Sequence, residues 1–311
     1  MIAGGARAVM PDLFPSFAVR DLDTPGARIR ARVGGAGPPM LLLHGYPQTH
    51  AIWHRMAGPL ASRFTVVAAD LRGYGDSAKP ESGPDHAAYS KRAMAQDMVH
   101  VMARLGFDAF HVVGHDRGGR VGHRLALDHP ARVWSLTVLD IAPTLAMYEQ
   151  TTMAFARAYY HWFFLIQPAP LPERLIGADP EFFLREKLRG WSQGRWPFHD
   201  GAVAEYLRCF RDPAVIHATC EDYRAAAGID LEHDRADRDG GRQVGCPVLA
   251  LWGDRGTVHR EFKPLEEWRR VSQGTVSGRP LPSGHYLPEE VPEDVLRELL
   301  AFVPARSPPK A

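Results

Sequence analysis

The sequence has few of the features that tie a protein to a membrane, a nucleic acid or an oxidising compartment. Its 311 residues include only three cysteines, without metal-ligand spacing, so we expect reduced thiols in a cytoplasmic protein. The formal net charge of +1 gives no electrostatic reason to expect nucleic acid or a membrane surface as a partner. No segment approaches the roughly 20 apolar residues of a transmembrane helix, and residues 1–10 lack the apolar core of a signal peptide. The 15 histidines form no ligand cluster, so neither a metal nor an organic cofactor is expected.

The apolar residues are concentrated in short segments that alternate with helical ones. The length of 311 residues suits one large domain with an insertion, or two domains. The 45% of hydrophobic residues is enough to bury a sizeable core. Short, continuous apolar runs are typical of strands buried on both faces of a parallel sheet. We predict such strands at Pro39–Leu43, Thr65–Ala69, Phe110–Val113, Ser135–Leu139 and Cys246–Trp252. Their alternation with helices predicts an α/β fold with a doubly wound, mostly parallel sheet.

Residues 144–239 follow a different pattern, rich in aromatic side chains and helical periodicity and without a convincing buried strand. We predict that they form a helical cap domain, inserted into a core domain made of residues 1–143 and 240–311. An antiparallel hairpin is expected at the edge of the sheet over Ser16–Val33, because proline and glycine mark a turn in its middle. The tail from Pro304 to Ala311 is expected to be disordered.

The most informative motif is a strand, turn and helix in which the turn reads Gly-His-Asp-Arg-Gly. The glycines at its ends, Gly114 and Gly118, allow the backbone to close tightly because no Cβ intervenes. This pattern is typical of the nucleophile elbow of an α/β hydrolase, which exposes one side chain at the top of the sheet. Here that side chain is Asp116 rather than serine or cysteine. A carboxylate that attacks carbon forms an alkyl ester, so the motif predicts displacement at a saturated carbon.

An acid and then a histidine base follow the nucleophile, which is the chain order that this fold uses. His285 lies in a turn-like loop ahead of the last helix, where it is expected to activate a water molecule that attacks the ester on Asp116. Two aspartates that follow predicted strands, Asp140 and Asp254, are both candidates for the acid that orients His285. From the residues alone, this choice stays open.

Two further features surround the predicted nucleophile. His44-Gly45-Tyr46-Pro47 matches an oxyanion loop, so the backbone N–H groups of Tyr46 and Arg117 are expected to stabilise the oxyanion formed during ester hydrolysis. Arg117 and Arg120 both lie at the start of the helix after the elbow. Because a guanidinium matches a carboxylate in a bidentate manner, the pair predicts an anionic substrate whose carboxylate adjoins the carbon under attack.

Together these residues resemble the fluoroacetate (haloacetate) dehalogenases of the α/β-hydrolase superfamily. The resemblance covers nearly the whole chain. The matching segments are His44–Gln48, Gly114–Gly119, Leu139–Ile141, His161–Leu165, Gln167–Pro170, Cys220–Ala225 and Ser283–Glu290. The cap segments among them are specific, because related epoxide hydrolases and haloalkane dehalogenases do not share them.

The resemblance implies hydrolysis of fluoroacetate to glycolate and halide, and it assigns several roles. It favours Asp140 over Asp254 as the third member of the catalytic triad. It implies that His161, Trp162 and Tyr223 donate hydrogen bonds to the departing halide, while the two arginines hold the substrate carboxylate. Trp191 matches a position that lines the pocket. The expected partner is therefore a small haloacid, and a homodimer is compatible with the resemblance.

Two alternatives belong to other classes of function. An epoxide hydrolase would share Asp116, His285 and the acid, but such enzymes usually place an aromatic residue where this chain has Arg117, and a neutral epoxide gives the arginines no partner. A non-catalytic ligand receptor could also use this fold, although the complete set of catalytic groups argues against it. The preference among fluoride, chloride and bromide depends on small differences in pocket volume.

Overall fold

Eight strands form a single sheet in the computed structural model, which describes residues 12–303. The expectations for residues 1–10 and for the tail from Pro304 to Ala311 lie outside this range. The strands are β1 (Ala18–Asp23), β2 (Arg28–Gly34), β3 (Pro39–Leu43), β4 (Thr65–Ala69), β5 (Phe110–His115), β6 (Val133–Leu139), β7 (Val248–Gly253) and β8 (Val276–Leu281).

The sheet has the order β1-β2-β4-β3-β5-β6-β7-β8. β1 pairs with β2, and β2 with β4, in the antiparallel sense. All the other neighbours are parallel. β3 is central, and the order runs outwards from it in both directions, which confirms the doubly wound α/β fold with an antiparallel hairpin at one edge.

Some of the described helices alternate with the strands of the sheet, and the others lie consecutively between two strands. The helices are α1 (His54–Ala61), α2 (Lys91–Arg104), α3 (Arg117–Asp128), α4 (Thr144–Glu149), α5 (Met153–Ala158), α6 (Tyr160–Leu165), α7 (Leu171–Ala178), α8 (Pro180–Trp191), α9 (Asp200–Phe210), α10 (Pro213–Ala227), α11 (Ile229–Asp239), α12 (Thr257–Glu261), α13 (Pro264–Arg270), α14 (Leu287–Glu290) and α15 (Pro292–Phe302). Helices α4 to α11 form an uninterrupted helical segment between β6 and β7. The division into a core domain and a cap domain at residues 143 and 240 stays a prediction.

The strands at the centre of the sheet are buried on both faces, as their continuous apolar sequences predict. In β3, Leu41 and Leu43 belong to the hydrophobic cluster on one face, and Met40 and Leu42 belong to the cluster on the other. This alternation follows from the two-residue period of a strand. Both faces of the sheet are therefore covered, and only its edges and strand ends are available for a functional site.

The sequence analysis did not identify β8. Only Leu281 is buried in this edge strand, so it lacks the apolar run by which the inner strands were recognised. It contains Gly278 and Pro280, residues that sheets tolerate mainly at edges and irregularities. Gly278 has φ +144°, and a Cβ there would lie 1.8 Å from the carbonyl oxygen of Ala250 on β7. The position of β8 is therefore defined by close backbone contact with β7, and the sequence of β8 has no amphipathic pattern.

Candidate active site

The loops that follow the strands bring the predicted catalytic residues to the carboxyl edge of the sheet. Tyr46 follows β3, Asp116 follows β5 and Asp140 follows β6, while His285 lies in the loop after β8. The parallel register pairs the last residues of neighbouring strands, so these loops begin at one level. This is where open α/β sheets bind their ligands.

The elbow holds Asp116 in a backbone conformation that side chains rarely adopt, with φ +43° and ψ −113°. The turn is tight enough that a Cβ on Gly114 would lie 2.5 Å from the carbonyl carbon of Gly118. A Cβ on Gly118 would lie 2.3 Å from the carbonyl oxygen of Leu43. The glycines identified in the sequence are thus required by close backbone approach. Positive φ in a non-glycine residue stores strain that is typical of functional sites.

Asp140 is the carboxylate that contacts His285. Its Oδ2 lies 2.6 Å from His285 Nδ1, and its Oδ1 accepts a hydrogen bond of 2.9 Å from the Gly253 backbone N–H. The rival candidate, Asp254, is exposed. Burial alone would lower the pKa of His285, but the hydrogen bond and charge of Asp140 raise it above its usual value. With Nδ1 engaged, Nε2 is the ring nitrogen left to accept a proton.

Asp116 is buried, and its charge is stabilised by its surroundings. Oδ2 accepts a hydrogen bond of 3.1 Å from the backbone N–H of Tyr46, and α3 begins at Arg117 directly after it. Burial would raise the pKa of Asp116, but the charges of His285, Arg120 and Arg117 together lower it. The side chain is therefore an ionised carboxylate near neutral pH, as a nucleophile must be.

Arg117 is fully buried and already has a carboxylate partner, Asp222 on α10. Its Nε lies 2.8 Å from Asp222 Oδ2, and its Nη2 lies 2.7 Å from Asp222 Oδ1. The same Asp222 carboxylate also binds the Lys91 ammonium and the Tyr74 hydroxyl. Only Nη1 of Arg117 has no hydrogen-bond partner within residues 12–303. The bidentate face that the sequence suggested for a substrate is occupied by the protein itself.

Arg120 has no such partner. Its Nη1 donates to Thr144 Oγ1 at 2.9 Å and to the Ala142 carbonyl at 3.3 Å, and its Nη2 lies 3.3 Å from Met147 Sδ. In the described part of the chain, Nε is without a hydrogen-bond partner, and no carboxylate forms a salt bridge with this guanidinium. Burial consequently lowers the pKa of Arg120. A buried cation of this kind favours binding of an anion.

The predicted halide-binding residues all belong to the helical segment between β6 and β7, and the rings of His161 and Tyr223 are 5.6 Å apart. His161 Nδ1, Trp162 Nε1 and Tyr223 Oη are all buried without a hydrogen-bond partner among residues 12–303. The arginines lie against two of the rings: Arg117 Cζ is 4.2 Å from the centre of Tyr223, and Arg120 Cζ is 4.8 Å from that of Trp162. Burial lowers the pKa of His161 well below its usual value, so its imidazole is neutral and carries one N–H donor.

Trp191, at the end of α8, lies between these side chains and His285, the predicted general base. Its ring centre lies 4.5 Å from that of His161 and 5.2 Å from that of His285. Its backbone carbonyl accepts a hydrogen bond of 3.0 Å from the His285 N–H. The position that the resemblance implied as pocket lining is therefore adjacent to both groups.

Sequence reasoning missed the residues that support the predicted site. In the sequence, Asp222 stands out only as part of a matching segment. The one sign that it is buried is that the polar residues around it on α10 are flanked by alanines. His115, within the elbow itself, places Nε2 2.8 Å from the His285 carbonyl oxygen. Glu290 binds the loop around His285. The contacts of Asp222 and His115 join residues 105 and 170 positions apart, so no local pattern encodes them. The contacts of Glu290 span only six and four residues, and they fall within the matching segment Ser283–Glu290.

Comparison with known proteins agrees with this architecture. A family model described as the alpha/beta hydrolase fold matches residues 38–290. A fluoroacetate dehalogenase from Burkholderia sp is 49% identical over 293 residues, which cover 94% of this chain and 95% of that protein. A soluble epoxide hydrolase from Corynebacterium sp. (strain C12) is 33% identical, with 89% and 94% covered. A crystal structure from Nostoc sp PCC 7120, provisionally described as an alpha/beta hydrolase, has 58% identity and a TM-score of 0.91, with 93% and 98% covered.

The chain therefore belongs to the α/β-hydrolase fold family. Within it, the chain belongs to the fluoroacetate dehalogenase family, a group of hydrolases that act on carbon–halide bonds. Across residues 12–303, no helix combines the length and the apolar character needed to cross a bilayer.

Proposed function

We propose that this protein hydrolyses haloacetates, converting fluoroacetate to glycolate and halide through an ester on Asp116. The observation that carries the proposal is the buried guanidinium of Arg120, which lies beside an aspartate nucleophile and has no salt-bridge partner in the part of the chain described. Burying an unpaired charge is unfavourable unless a ligand supplies the opposite charge. A substrate carboxylate would do so. The relationship to the Burkholderia fluoroacetate dehalogenase supports the same substrate class.

In the proposed first step, one Asp116 oxygen attacks the carbon that bears the halogen. The electron pair of the carbon–halogen bond leaves with the halide, and an alkyl ester forms. The N–H groups of His161 and Trp162 and the O–H of Tyr223 would stabilise the charge that builds up on the halogen. Because these donors lack partners among the described residues, no protein hydrogen bond has to break before they bind the halide.

In the second step, His285 Nε2 would take a proton from water, and the resulting hydroxide would attack the ester carbonyl of Asp116. The backbone N–H of Tyr46, which lies 3.1 Å from Asp116 Oδ2, and that of Arg117 would stabilise the oxyanion. Collapse breaks the ester bond, and His285 returns the proton to the departing alkoxide, which leaves as glycolate. Collapse leaves Asp116 as a carboxylic acid, which loses its proton to solvent and is regenerated as the carboxylate, so the net products are glycolate, halide and one proton.

An epoxide hydrolase is the alternative with the most support, because a related protein of that description is 33% identical. It would use the same nucleophile and base, with tyrosine hydroxyls protonating the epoxide oxygen. A neutral epoxide, however, brings no anion to the Arg120 guanidinium, which has no salt-bridge partner among the described residues. A receptor without catalytic activity would not need an ionised Asp116 beside a base that is already oriented by Asp140.

The proposal is tested by offering the purified protein fluoroacetate, chloroacetate, bromoacetate and styrene oxide, with Asp116→Asn as the inactive control. We expect halide release from the haloacetates and none from the control. Turnover of styrene oxide without any halide release would instead establish an epoxide hydrolase. Binding of haloacetate without turnover of either compound would establish a receptor.

The covalent step has its own test. His285→Asn should still form the ester but should not hydrolyse it, so incubation with fluoroacetate should add the mass of a carboxymethyl group, attached through Asp116 as the glycolyl ester. Intact-mass measurement followed by peptide mapping would locate the adduct. A folded His285→Asn protein that binds substrate but remains unmodified would contradict the two-step mechanism.

A further inference from the structure

The loop that carries His285 is held by a carboxylate to which no role has been assigned. We infer that Glu290 is a positioning residue for the second step, acting through the backbone on either side of His285. The inference rests on the proposed function, because it assigns Glu290 to ester hydrolysis and not to ester formation.

Glu290 binds the peptide groups of both residues that flank His285. Its Oε2 accepts a hydrogen bond of 2.7 Å from the Gly284 N–H, and its Oε1 accepts one of 2.9 Å from the Tyr286 N–H. Each oxygen of the carboxylate thus holds one of the flanking amides. Hydrogen bonds from backbone N–H groups to a carboxylate are stronger than those between neutral groups, so this contact restrains the segment on both sides of the general base.

The remaining backbone groups of His285 are held as well. Its N–H donates to the Trp191 carbonyl oxygen at 3.0 Å. Its own carbonyl oxygen lies 2.8 Å from His115 Nε2, and the two imidazole rings are 4.6 Å apart. The Glu290 contacts therefore complete a set of restraints that fix the Cα position and direction of His285. Asp140 then sets the rotation of the ring.

Such restraint matters because the base must bring Nε2 within hydrogen-bond reach of one water molecule. A displacement of about 1 Å in a catalytic group can reduce a rate by about 100-fold. Asp116, by contrast, is placed by the elbow on β5 and α3, with which Glu290 has no hydrogen bond in the described structure. Loosening the loop should therefore slow ester hydrolysis while leaving ester formation intact.

Glu290 also adds negative charge near the base. The charged or titratable groups around His285 are Asp140 after β6, Asp116 at the elbow, His115 on β5, Glu290 on α14, the phenol of Tyr286 and the imidazole of His161 on α6. Burial lowers the pKa of His285, and the three carboxylates raise it. Burial also lowers the pKa of His115 to about 3, so that this neighbour stays neutral. Removing the charge of Glu290 should make His285 lose its proton at a lower pH.

The neighbouring Glu289 provides a matched control. It lies on the same short helix and is fully buried, but its carboxyl group contacts Gln48 at 2.5 Å and Tyr206 at 3.2 Å, away from the His285 loop. Burial raises the pKa of Glu289 to about 8, so glutamine replaces a neutral acid with a neutral amide of nearly the same shape and can still accept the hydrogen bond from Gln48. Glu289→Gln should therefore leave both chemical steps unchanged at neutral pH.

The experiment compares Glu290→Gln, Glu290→Asp and Glu289→Gln with the unmodified protein. Glutamine has nearly the same size but no charge, and its amide offers one acceptor to two N–H groups. Aspartate keeps the charge but is one methylene too short to hold both amides. Rapid quenching and intact-mass analysis would give the rates at which fluoroacetate esterifies the enzyme and at which the ester is hydrolysed, across a range of pH.

We expect both Glu290 variants to accumulate ester, with hydrolysis slowed by about 10-fold or more and esterification unchanged. In Glu290→Gln, the pH range over which the rate of ester hydrolysis rises should also move to lower pH. In Glu290→Asp, that range should stay where it is in the unmodified protein. Glu289→Gln should not accumulate ester. Comparison of the two Glu290 variants therefore separates the effect of side-chain length, which sets the hydrogen bonds, from the effect of charge, which sets the pKa of His285.

Three results would overturn the inference. In the first, the Glu290 variants hydrolyse the ester as fast as the unmodified protein. In the second, both steps slow together, as for a general loss of folding. In the third, Glu289→Gln accumulates ester to the same extent. If His285→Asn and every other variant fail to form any ester, the proposed function itself fails, and that outcome is distinct from the other three.

Discussion

Arg117 and Asp222 form a buried ion pair in which two nitrogens of the guanidinium, Nε and Nη2, are held by the two oxygens of one carboxylate at 2.8 and 2.7 Å. Arg117 lies directly after Asp116, and Asp222 lies on α10, 105 residues further along the chain. The pair also orients the ring of Tyr223, over which the guanidinium is stacked. A substrate would therefore meet an Arg117 that is already immobile, with Nη1 as its one nitrogen unpartnered among the described residues.

The first prediction concerns the stability that depends on Asp222. This carboxylate compensates two buried cations, Arg117 and Lys91. Asp222→Asn removes the compensating charge while nearly preserving volume, and we expect it to lower the free energy of unfolding by about 3 kcal/mol or more. Urea denaturation with an unchanged m-value would measure the loss.

Glu298→Gln is the control for that measurement. Glu298 pairs with Arg279 near the surface, where the arginine side chain is exposed and the glutamate side chain is partly exposed to solvent. Surface pairs contribute only about 0 to 1 kcal/mol, so this variant should unfold almost as the unmodified protein does. Equal losses in the two variants would show that the Asp222 network is not stabilised by charge compensation.

The second prediction separates the two candidate acids. Asp140→Asn should slow ester hydrolysis by orders of magnitude, because His285 loses the carboxylate that orients its ring. Since Asp140 raises the pKa of His285 against the effect of burial, the residual rate should reach its plateau at a lower pH. Asp254 is exposed, so Asp254→Asn should retain nearly full activity. Single-turnover hydrolysis against pH would test both statements, and a large defect in Asp254→Asn would favour the other strand end.

The third prediction assigns the arginines to the substrate carboxylate. Arg120→Gln is the clearest variant, because no carboxylate within residues 12–303 forms a salt bridge with Arg120. The charge of Arg120 also lowers the pKa of Asp116, so the comparison is made at a pH where the rate no longer rises with pH. We expect kcat/KM to fall by the equivalent of about 2 to 5 kcal/mol, and by a similar factor for every haloacetate. Arg117→Gln should show the same pattern, together with a loss of stability because Asp222 loses its partner.

The fourth prediction assigns the donors on α6 and α10 to the halide. Trp162→Phe and Tyr223→Phe each remove one of the unpartnered donors. Fluoride concentrates its charge and accepts hydrogen bonds most strongly, so these variants should slow defluorination more than dechlorination, because the interaction develops in the transition state. The measurement is the ratio of rates on fluoroacetate and chloroacetate. A ratio that changes in Arg120→Gln but not in Trp162→Phe or Tyr223→Phe would contradict the assignment.

The fifth prediction concerns the dependence of stability on pH. Burial raises the pKa of Glu289 to about 8, so the folded protein retains a proton that the unfolded chain loses near its ordinary value. Stability should therefore fall as pH rises between those two values, by at most about 1.4 kcal/mol per pH unit. Glu289→Gln cannot ionise and should lack this contribution. Thermal unfolding of both proteins from pH 5 to pH 8 would test it, and parallel curves would mean that Glu289 is ionised in the folded state.

The sequence by itself determined the features that depend on neighbours along the chain. The inner strands were recognisable because each is a continuous apolar run, and the elbow because its glycines flank Asp116 within one turn. The fold class and the expectation of an aspartate nucleophile followed from these local patterns. The edge strand β8 was missed because an exposed strand that contains Gly278 and Pro280 has no such pattern.

Only the tertiary structure decided which distant residues meet. From residue pattern alone, Asp140 and Asp254 were equivalent, since both follow strands; packing places one of them 2.6 Å from His285, across 145 residues of chain, and leaves the other exposed. Arg117 was expected to bind a ligand carboxylate through two nitrogens of its guanidinium. In the fold, α10 packs near the elbow, and Nε and Nη2 of Arg117 bind Asp222 instead. Such pairings depend on the packing of separate elements, because a charge buried by that packing must find its partner wherever the fold brings one.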